Sequence, residues 1–262
     1  MKISDSILDE YDFYARYLPG LWSLLSVGVV ITAIGLRENP VLTGIVALLT
    51  AFGGPVVLAR FVGNRGKAIE KELWESWGGA PTTAMLRHGG DKAEASQRQQ
   101  LRDQASGVLS VTLPTKDEEL ADPEAADAVY VAVVRRLRGL TDDNKTFRLL
   151  FVENKNYGFE RNLLAMRPIA LAISIVCFAG LLAGLVLSAS GLISMHWLDF
   201  TIAMVVVGVL VIYWLFAPTE QTVHRTAEAY AERLAQAAWK MGTTGSADDK
   251  SPTSDLTGAP ES

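Results

Sequence analysis

The sequence predicts an all-α integral membrane protein with four transmembrane helices, arranged as two hairpins, and a mostly helical domain inserted between spans 2 and 3. Apolar residues make up 49% of the chain. Most of them fall in four windows of 19 to 25 residues: Leu18–Leu36, Val41–Val62, Ile169–Ile193 and Trp197–Ala217. A helix needs roughly 20 residues to cross ~30 Å of hydrocarbon. Because lipid offers no partner for an unpaired backbone group, each window is expected to be helical.

These windows divide the chain into six segments. They are an N-terminal interfacial segment (1–17), transmembrane hairpin 1 (18–62), a cytoplasmic helical domain (63–167), transmembrane hairpin 2 (168–217), a cytoplasmic C-terminal amphipathic helix (218–241) and a disordered tail (242–262). The tail is rich in Gly, Ser, Thr, Asp and Pro, a composition that cannot bury enough apolar surface to fold.

The first apolar window is predicted to be a retained span and not a cleaved signal peptide. The residues before it carry more acids than bases, whereas a signal peptide begins with a positive region. A second span follows after only four residues, 37–40. The aromatic residues of the segment 11–17 predict a helix at the membrane interface.

Lys and Arg concentrate on one side of the predicted spans, and this bias sets the orientation in the membrane. The two short connections between spans hold one basic residue, Arg37. The opposite flanks hold ten, namely Arg16, Arg60, Arg65, Lys67, Lys71, Lys155, Arg161, Arg167, Arg225 and Arg233. The bias predicts a multi-pass protein with both termini in the cytoplasm, and it favours a bacterial plasma (inner) membrane.

The second span contains Gly53, Gly54 and Pro55 near its middle. Proline removes a backbone donor and kinks a helix, while glycine lets a neighbouring helix approach closely. The tripeptide therefore predicts a kink, which serves either simple packing or a gating hinge.

The inserted domain is electrically neutral, with 16 Lys plus Arg and 16 Asp plus Glu between residues 63 and 167. Nucleic-acid binding usually requires a basic excess on one face, so no nucleic-acid partner is expected. Helices are predicted at Arg65–Trp77, Thr83–Arg87, Arg98–Leu109, Pro123–Leu140 and from Lys145 through Arg161. Two pieces, 107–113 and 147–152, have β-capable composition, which leaves a small strand pair as an alternative.

Two patterns favour a homo-oligomer. Gly180 and Gly184 in the third span form a G-x-x-x-G pair, which lets helix backbones approach in lipid. In the C-terminal helix, apolar residues recur at alternating steps of four and three, as in a helix seam: Val223, Ala227, Tyr230, Leu234, Ala237 and Met241. Docking of this seam on the same chain explains the spacing equally well.

Two segments of the inserted domain combine aromatic, glycine and hydrogen-bonding residues, the mixture that ligand pockets use. They are residues 74–88 and 153–162. Thr82 and Thr83 are expected to cap a helix, and the cations are expected to pair with a phosphate or other anion. The hypothetical ligand-binding residues are Trp77, Thr82, Thr83, Arg87, Glu153, Lys155, Tyr157 and Arg161. The alternative is a tight turn with interfacial aromatic residues.

The sequence favours a non-enzymatic protein without a cofactor. The one cysteine and the three histidines lie too far apart for a metal site. Glu153 and Lys155 form an E-x-K pattern found in some metal-dependent nucleases, but no clear strand precedes it. A nucleophile elbow, a P-loop and a dinucleotide fingerprint are all lacking.

The leading functional hypothesis is a multi-pass membrane sensor and effector. The cytoplasmic domain would receive a signal, such as a nucleotide or another anion, and alter an oligomeric transmembrane bundle, with permeabilisation of the membrane as one output. The alternative hypothesis is a membrane scaffold or anchor subunit that recruits a soluble cytoplasmic partner.

Overall fold

The computed structural model describes residues 9–33, 54–89, 92–192 and 197–248, and most of these residues are helical, without a strand among them. The predicted all-helical character is therefore confirmed for this part of the chain. A π-helix, Asp12–Tyr17, leads directly into α1, Leu18–Ala33. The later helices are α2 (Gly54–Ser76), α3 (Pro81–Ala84), α4 (Lys92–Leu109), α5 (Lys116–Ala121), α6 (Pro123–Leu140), α7 (Arg148–Ala189), α8 (Trp197–Phe216) and α9 (Glu220–Asp248).

Three helical segments are long and apolar enough to cross a membrane, which supports a membrane protein. They are Asp12–Ala33, Arg148–Ala189 and Trp197–Phe216. The predicted second span, Val41–Val62, lies outside the described residues up to position 53, and so does Gly53. The described part of α2 runs from Gly54 and includes Pro55, so the predicted kink at Gly53, Gly54 and Pro55 stays a prediction.

Local hydrogen bonds move several predicted helix ends in the inserted segment. α7 begins at Arg148 and not at Lys145, because the Asp143 side chain accepts from the Lys145 backbone in a preceding turn. α5 was not expected from the sequence; Thr115 and Glu118 form a capping box that starts it. The β-capable pieces 107–113 and 147–152 contain no strand, and most of their residues extend α4 or begin α7.

The chain forms two compact units. Unit 1 comprises Met1–Gly78 and Val152–Ala229, and unit 2 comprises Gly79–Phe151 and Tyr230–Ser262. Unit 1 therefore contains the three candidate spans except for the first turn of α7.

Small and polar side chains join the apolar helices of unit 1. The Ser26 and Ser174 hydroxyls share a buried hydrogen bond of 2.7 Å between α1 and α7. Gly20 of α1 lies so close to Leu58 of α2 that an added Cβ would stand 2.7 Å from the leucine Cγ. In lipid the hydrophobic effect does not draw helices together, so close packing and hydrogen bonds of this kind hold them.

Arg167 of α7 closes the C-terminal end of α8. Its guanidinium donates to the backbone carbonyls of Trp214, Leu215 and Pro218. The last carbonyls of a helix have no partner within the helix, so one side chain satisfies three acceptors and ties α8 to α7.

Unit 2 has an apolar core that packs around α6. Asp122 caps the first turn of this helix through the Ala125 N–H, and the buried apolar stripe of the helix comprises Ala126, Tyr130, Val133, Val134 and Leu137. Arg102 of α4 is 5% exposed within this core. Its guanidinium donates to the Leu86 and Pro114 carbonyls and to the Tyr130 hydroxyl.

The C-terminal seam is buried within the chain. Val223 and Ala227 belong to an apolar cluster of unit 1, and Tyr230, Leu234 and Ala237 belong to the core of unit 2. Docking on the same chain therefore accounts for this spacing, while assembly into a homo-oligomer stays a prediction.

Arg102→Met should lower the melting temperature of the full chain in detergent by several degrees. The substitution keeps an unbranched stem but leaves two carbonyls and a hydroxyl without their donor, at a cost of about 3 kcal/mol. The control is Arg135→Met on the exposed face of α6, for which circular dichroism should record an unchanged transition. Equal melting of both variants would contradict the structural role of Arg102.

Candidate functional site

The predicted ligand-binding residues fall into both units. Trp77, Glu153, Lys155, Tyr157 and Arg161 belong to unit 1, and Thr82, Thr83 and Arg87 belong to unit 2. The two groups therefore have separate surroundings.

An ion pair joins α2 to α7 in unit 1. The Arg161 Nη1 lies 2.5 Å from Oε1 of Glu70, and the Tyr157 hydroxyl donates to the same oxygen at 2.9 Å. Arg161 is 6% exposed, and its guanidinium carbon stands 5.4 Å from the centre of the Tyr157 ring. A buried charge is costly unless a partner compensates it, so Glu70 is required for Arg161 to stay in place.

The next residue on α7, Asn162, joins the N-terminal π-helix. Its Nδ2 donates to the Ala15 carbonyl at 2.6 Å. Pro19, four residues after Ala15, has no N–H to donate to that carbonyl. Asn162 is fully buried, and a Cβ added at Gly66 of α2 would stand 1.7 Å from its Oδ1. Glycine at position 66 is therefore necessary for α2 to approach α7.

Arg16 of the π-helix packs against α2 at a second glycine. A Cβ added at Gly63 would stand 3.0 Å from both Cδ and Nε of Arg16. The Arg16 guanidinium pairs with Asp12 and lies over the Tyr11 ring. We call the group of Arg16, Glu70, Arg161 and Asn162, with Gly63 and Gly66, the polar layer; Arg161 and Asn162 are buried, and Arg16 and Glu70 are half-buried.

Two nitrogen atoms of the polar layer are buried without a hydrogen-bond partner among the described residues. They are Nε of Arg16 and Nε of Arg161. Both arginines hold an acid through their terminal nitrogens, so each guanidinium retains an unused donor within the protein. A ligand with a hydrogen-bond acceptor that entered the layer could bind these two N–H groups.

Two further unit 1 candidates, Glu153 and Lys155, precede this layer along α7. The Lys155 ammonium pairs with Glu10 and stands 5.3 Å from the centre of the Tyr14 ring. Glu153 accepts a hydrogen bond from Asn156 of the same helix at 3.3 Å.

Trp77 contacts α9. Its indole Nε1 donates to Glu220 at 3.0 Å, and its ring meets the His224 ring edge-on with centroids 4.6 Å apart. Ser76 donates to the same Glu220 oxygen at 2.7 Å. These contacts place Trp77 at a helix-packing position.

In unit 2, Arg87 forms a two-point ion pair with Asp127 of α6. Nε and Nη2 lie 2.7 Å and 2.5 Å from the two carboxylate oxygens. These hydrogen bonds raise the pKa of the Arg87 guanidinium above its ordinary value. The two-point geometry is the one in which arginine binds carboxylates and phosphates most strongly.

Thr82 and Thr83 do not cap a helix as expected. α3 begins at Pro81 after Ala80, so both threonines lie inside its single turn, and both are buried. The Thr82 hydroxyl accepts a hydrogen bond from Arg138 at 3.2 Å.

A second network in unit 2 was not anticipated from the sequence. The Tyr130 hydroxyl accepts from Arg102 and donates to Glu119. Glu119 also accepts from the His88 backbone N–H. Burial, together with the Glu119 carboxylate, raises the pKa of the Tyr130 hydroxyl above its ordinary value. Tyr130 is therefore protonated at neutral pH and serves as a structural bridge.

Each cationic residue predicted to bind a ligand forms an ion pair with a carboxylate of its own unit. The pairs are Arg87 with Asp127, Lys155 with Glu10 and Arg161 with Glu70. An anionic ligand at any of them would therefore compete with an internal acid. Across the described ranges, no three His, Cys, Asp or Glu side chains cluster as ligands of a metal ion.

Comparison of the chain with protein-family models, curated proteins and solved structures finds no match. Functional inference for this protein therefore depends on its own contacts.

Glu70→Gln should destabilise the full chain by about 3 kcal/mol, because it leaves the Arg161 guanidinium buried without a countercharge. The matched control is Glu72→Gln, two residues along the same helix and exposed. Thermal unfolding in detergent should separate the two variants clearly. Identical transitions would contradict the role assigned to the ion pair.

Proposed function

We propose that this protein is a non-enzymatic, multi-pass membrane sensor and effector, whose polar layer converts a signal in residues 63–167 into altered packing of the membrane helices. The ion pair of buried Arg161 with half-buried Glu70 carries the proposal. It joins α2 to α7 only a few residues before α7 becomes continuously apolar after Arg167. A contact at this position is well placed to control the angle between the two helices.

The coupling rests on the continuity of α7. Beyond Arg161 the helix continues to Ala189 with Pro168 inside it, so a tilt at the polar layer acts on the apolar segment of the same helix. Asn162 extends the same effect to the π-helix, which leads into α1. A disturbance of one pair therefore acts on three helices.

An anion is the signal that best suits this chemistry. A phosphate group that competes with Glu70 for Arg161 would compensate the buried charge and release α2. The unused Nε donors of Arg16 and Arg161 favour an incoming acceptor with several oxygens. The output we propose is a change of packing in a homo-oligomer that permeabilises the membrane. Gly180 supports a contact between copies, because it is exposed and a Cβ added there would meet no atom within 4 Å.

In ion-loaded liposomes, a nucleoside triphosphate should increase the leak through the wild-type chain several-fold and leave Arg161→Gln unresponsive. The control Arg148→Gln removes an exposed charge from the start of α7 and should respond as the wild type does. An unchanged wild-type leak with every nucleotide and with inorganic phosphate would refute the proposal.

We propose that both termini face the cytoplasm and that the membrane is a bacterial plasma membrane. The packing of Arg16 beside Gly63 supports this orientation, because it brings the basic flanks of α1 and α2 together. In a Cys177→Ser background, Ser190→Cys should react with an impermeant maleimide on intact cells. Glu232→Cys should react only after lysis, since it lies on α9; labelling in the reverse order would contradict the orientation.

A scaffold function is the second proposal, and a groove of unit 2 favours it. A cavity of about 470 Å³ is lined mainly by apolar side chains, including Leu113, Pro114, Ala121 and Val129. Leu120, on the same short helix as Ala121, is 70% exposed. A protein partner that co-purifies in a fixed ratio would favour the scaffold, whereas purification of the chain by itself would favour the sensor and effector.

A further inference from the structure

One face of α2 is exposed from Val57 to Lys71. Its residues recur at steps of three and four, as one side of a helix does: Val57, Arg60, Phe61, Asn64, Lys67, Ala68 and Lys71, with Arg65 at its margin. The opposite side carries Ala59, Val62, Gly63 and Gly66, which are buried against unit 1. The exposed face is therefore a surface and not a packing interface among the described residues of unit 1.

The charge on this face is entirely positive over its first four turns. Between Gly54 and Ile69 the helix holds Arg60, Arg65 and Lys67 and no acidic residue. The first acid, Glu70, is turned inward to Arg161. We call Arg60, Arg65 and Lys67, with the apolar Val57 and Phe61, the basic face.

Contacts with α1 set the depth of the basic face relative to the candidate spans. Leu58 packs at Gly20, which lies inside the first candidate span, and Gly63 packs at Arg16 of the π-helix, within the first turns of that span. Lys67 lies nine residues beyond Leu58, about 14 Å along the helix axis. Arg60 and Lys67 are seven residues apart, about 10 Å along the axis. With their long side chains the basic residues therefore reach the boundary between hydrocarbon and headgroups, where each headgroup layer is roughly 5–8 Å thick.

The two apolar residues lie toward the start of this face. Val57 is 68% exposed and Phe61 is 47% exposed, and both precede Arg65 and Lys67, while Arg60 lies between Val57 and Phe61. Such an order suits a helix whose lower part contacts acyl chains and whose upper part contacts phosphates.

We infer that the basic face binds the headgroups of anionic phospholipids. Arginine and lysine pair with phosphodiester oxygens, and the exposed side chains reach the headgroup layer without displacing an internal carboxylate. This site differs from the polar layer, where an anion competes with Glu70. The inference is therefore independent of the sensor and effector proposal.

The test is native mass spectrometry of the full chain in detergent, titrated with phosphatidylglycerol or with phosphatidylcholine of the same acyl chains. The wild type should prefer phosphatidylglycerol. Arg60→Gln, Arg65→Gln and Lys67→Gln combined should weaken binding of that lipid at least about tenfold, since each basic residue near an anionic surface contributes about fivefold.

Two further variants separate a local site from a general charge effect. Arg135→Gln, Arg136→Gln and Arg148→Gln combined remove the same charge from exposed positions of unit 2, and this variant should bind phosphatidylglycerol as the wild type does. Arg60→Lys with Arg65→Lys keeps the charge and should also retain binding.

Three results would overturn the inference. The first is equal affinity of the wild type for the two lipids. The second is an equal loss of phosphatidylglycerol binding in the unit 2 control. The third is displacement of the lipid by inorganic phosphate at matched concentration. The last result would identify a site for free anions. Thermal unfolding of each variant shows whether the comparison concerns folded protein, and the substituted residues are exposed.

Discussion

Helices that meet in lipid gain nothing from burying apolar surface against one another, because acyl chains are as apolar as leucine. In unit 1, glycines let the helices approach closely, and a small number of polar contacts join them. Gly66 brings α2 close enough for Glu70 to reach Arg161, and Asn162 uses the Ala15 carbonyl to attach the N-terminal helix. The arrangement of the three helices depends on this layer, which lies just outside the apolar segments.

Much of the fold could be predicted from the sequence, because periodicity and length report directly on helices. The stripe of α6 and its cap at Asp122 were predictable from residues that are neighbours in sequence. The short α5 was not, since its capping box depends on two side chains whose spacing is common in loops. The start of α7 was wrongly predicted at Lys145 for a similar reason, because the Asp143 side chain binds the backbone in a turn before the helix starts.

The candidate site was harder to predict, because residue type shows what a side chain can bind and not what already binds it. Arg161 and Tyr157 were chosen from the sequence for their chemistry, yet their partner Glu70 was overlooked. Its position carried a usable signal. Glu70 lies eight residues after Val62 and Arg161 lies seven before Pro168, so two helices rising from the membrane place both at a height of about 11 Å.

The serine pair inside the apolar region has a consequence for the order of biosynthesis. Ser26 and Ser174 are 148 residues apart in sequence, which corresponds to roughly 7–30 s of translation at about 5–20 residues per second. During that interval the Ser26 hydroxyl has no access to its eventual partner. Other hydroxyls of the apolar helices bond a carbonyl one turn earlier, as Ser23 does with Pro19. Ser26 is thus expected to exchange a local bond for a distant one, and α1 completes its packing only after the ribosome has made α7.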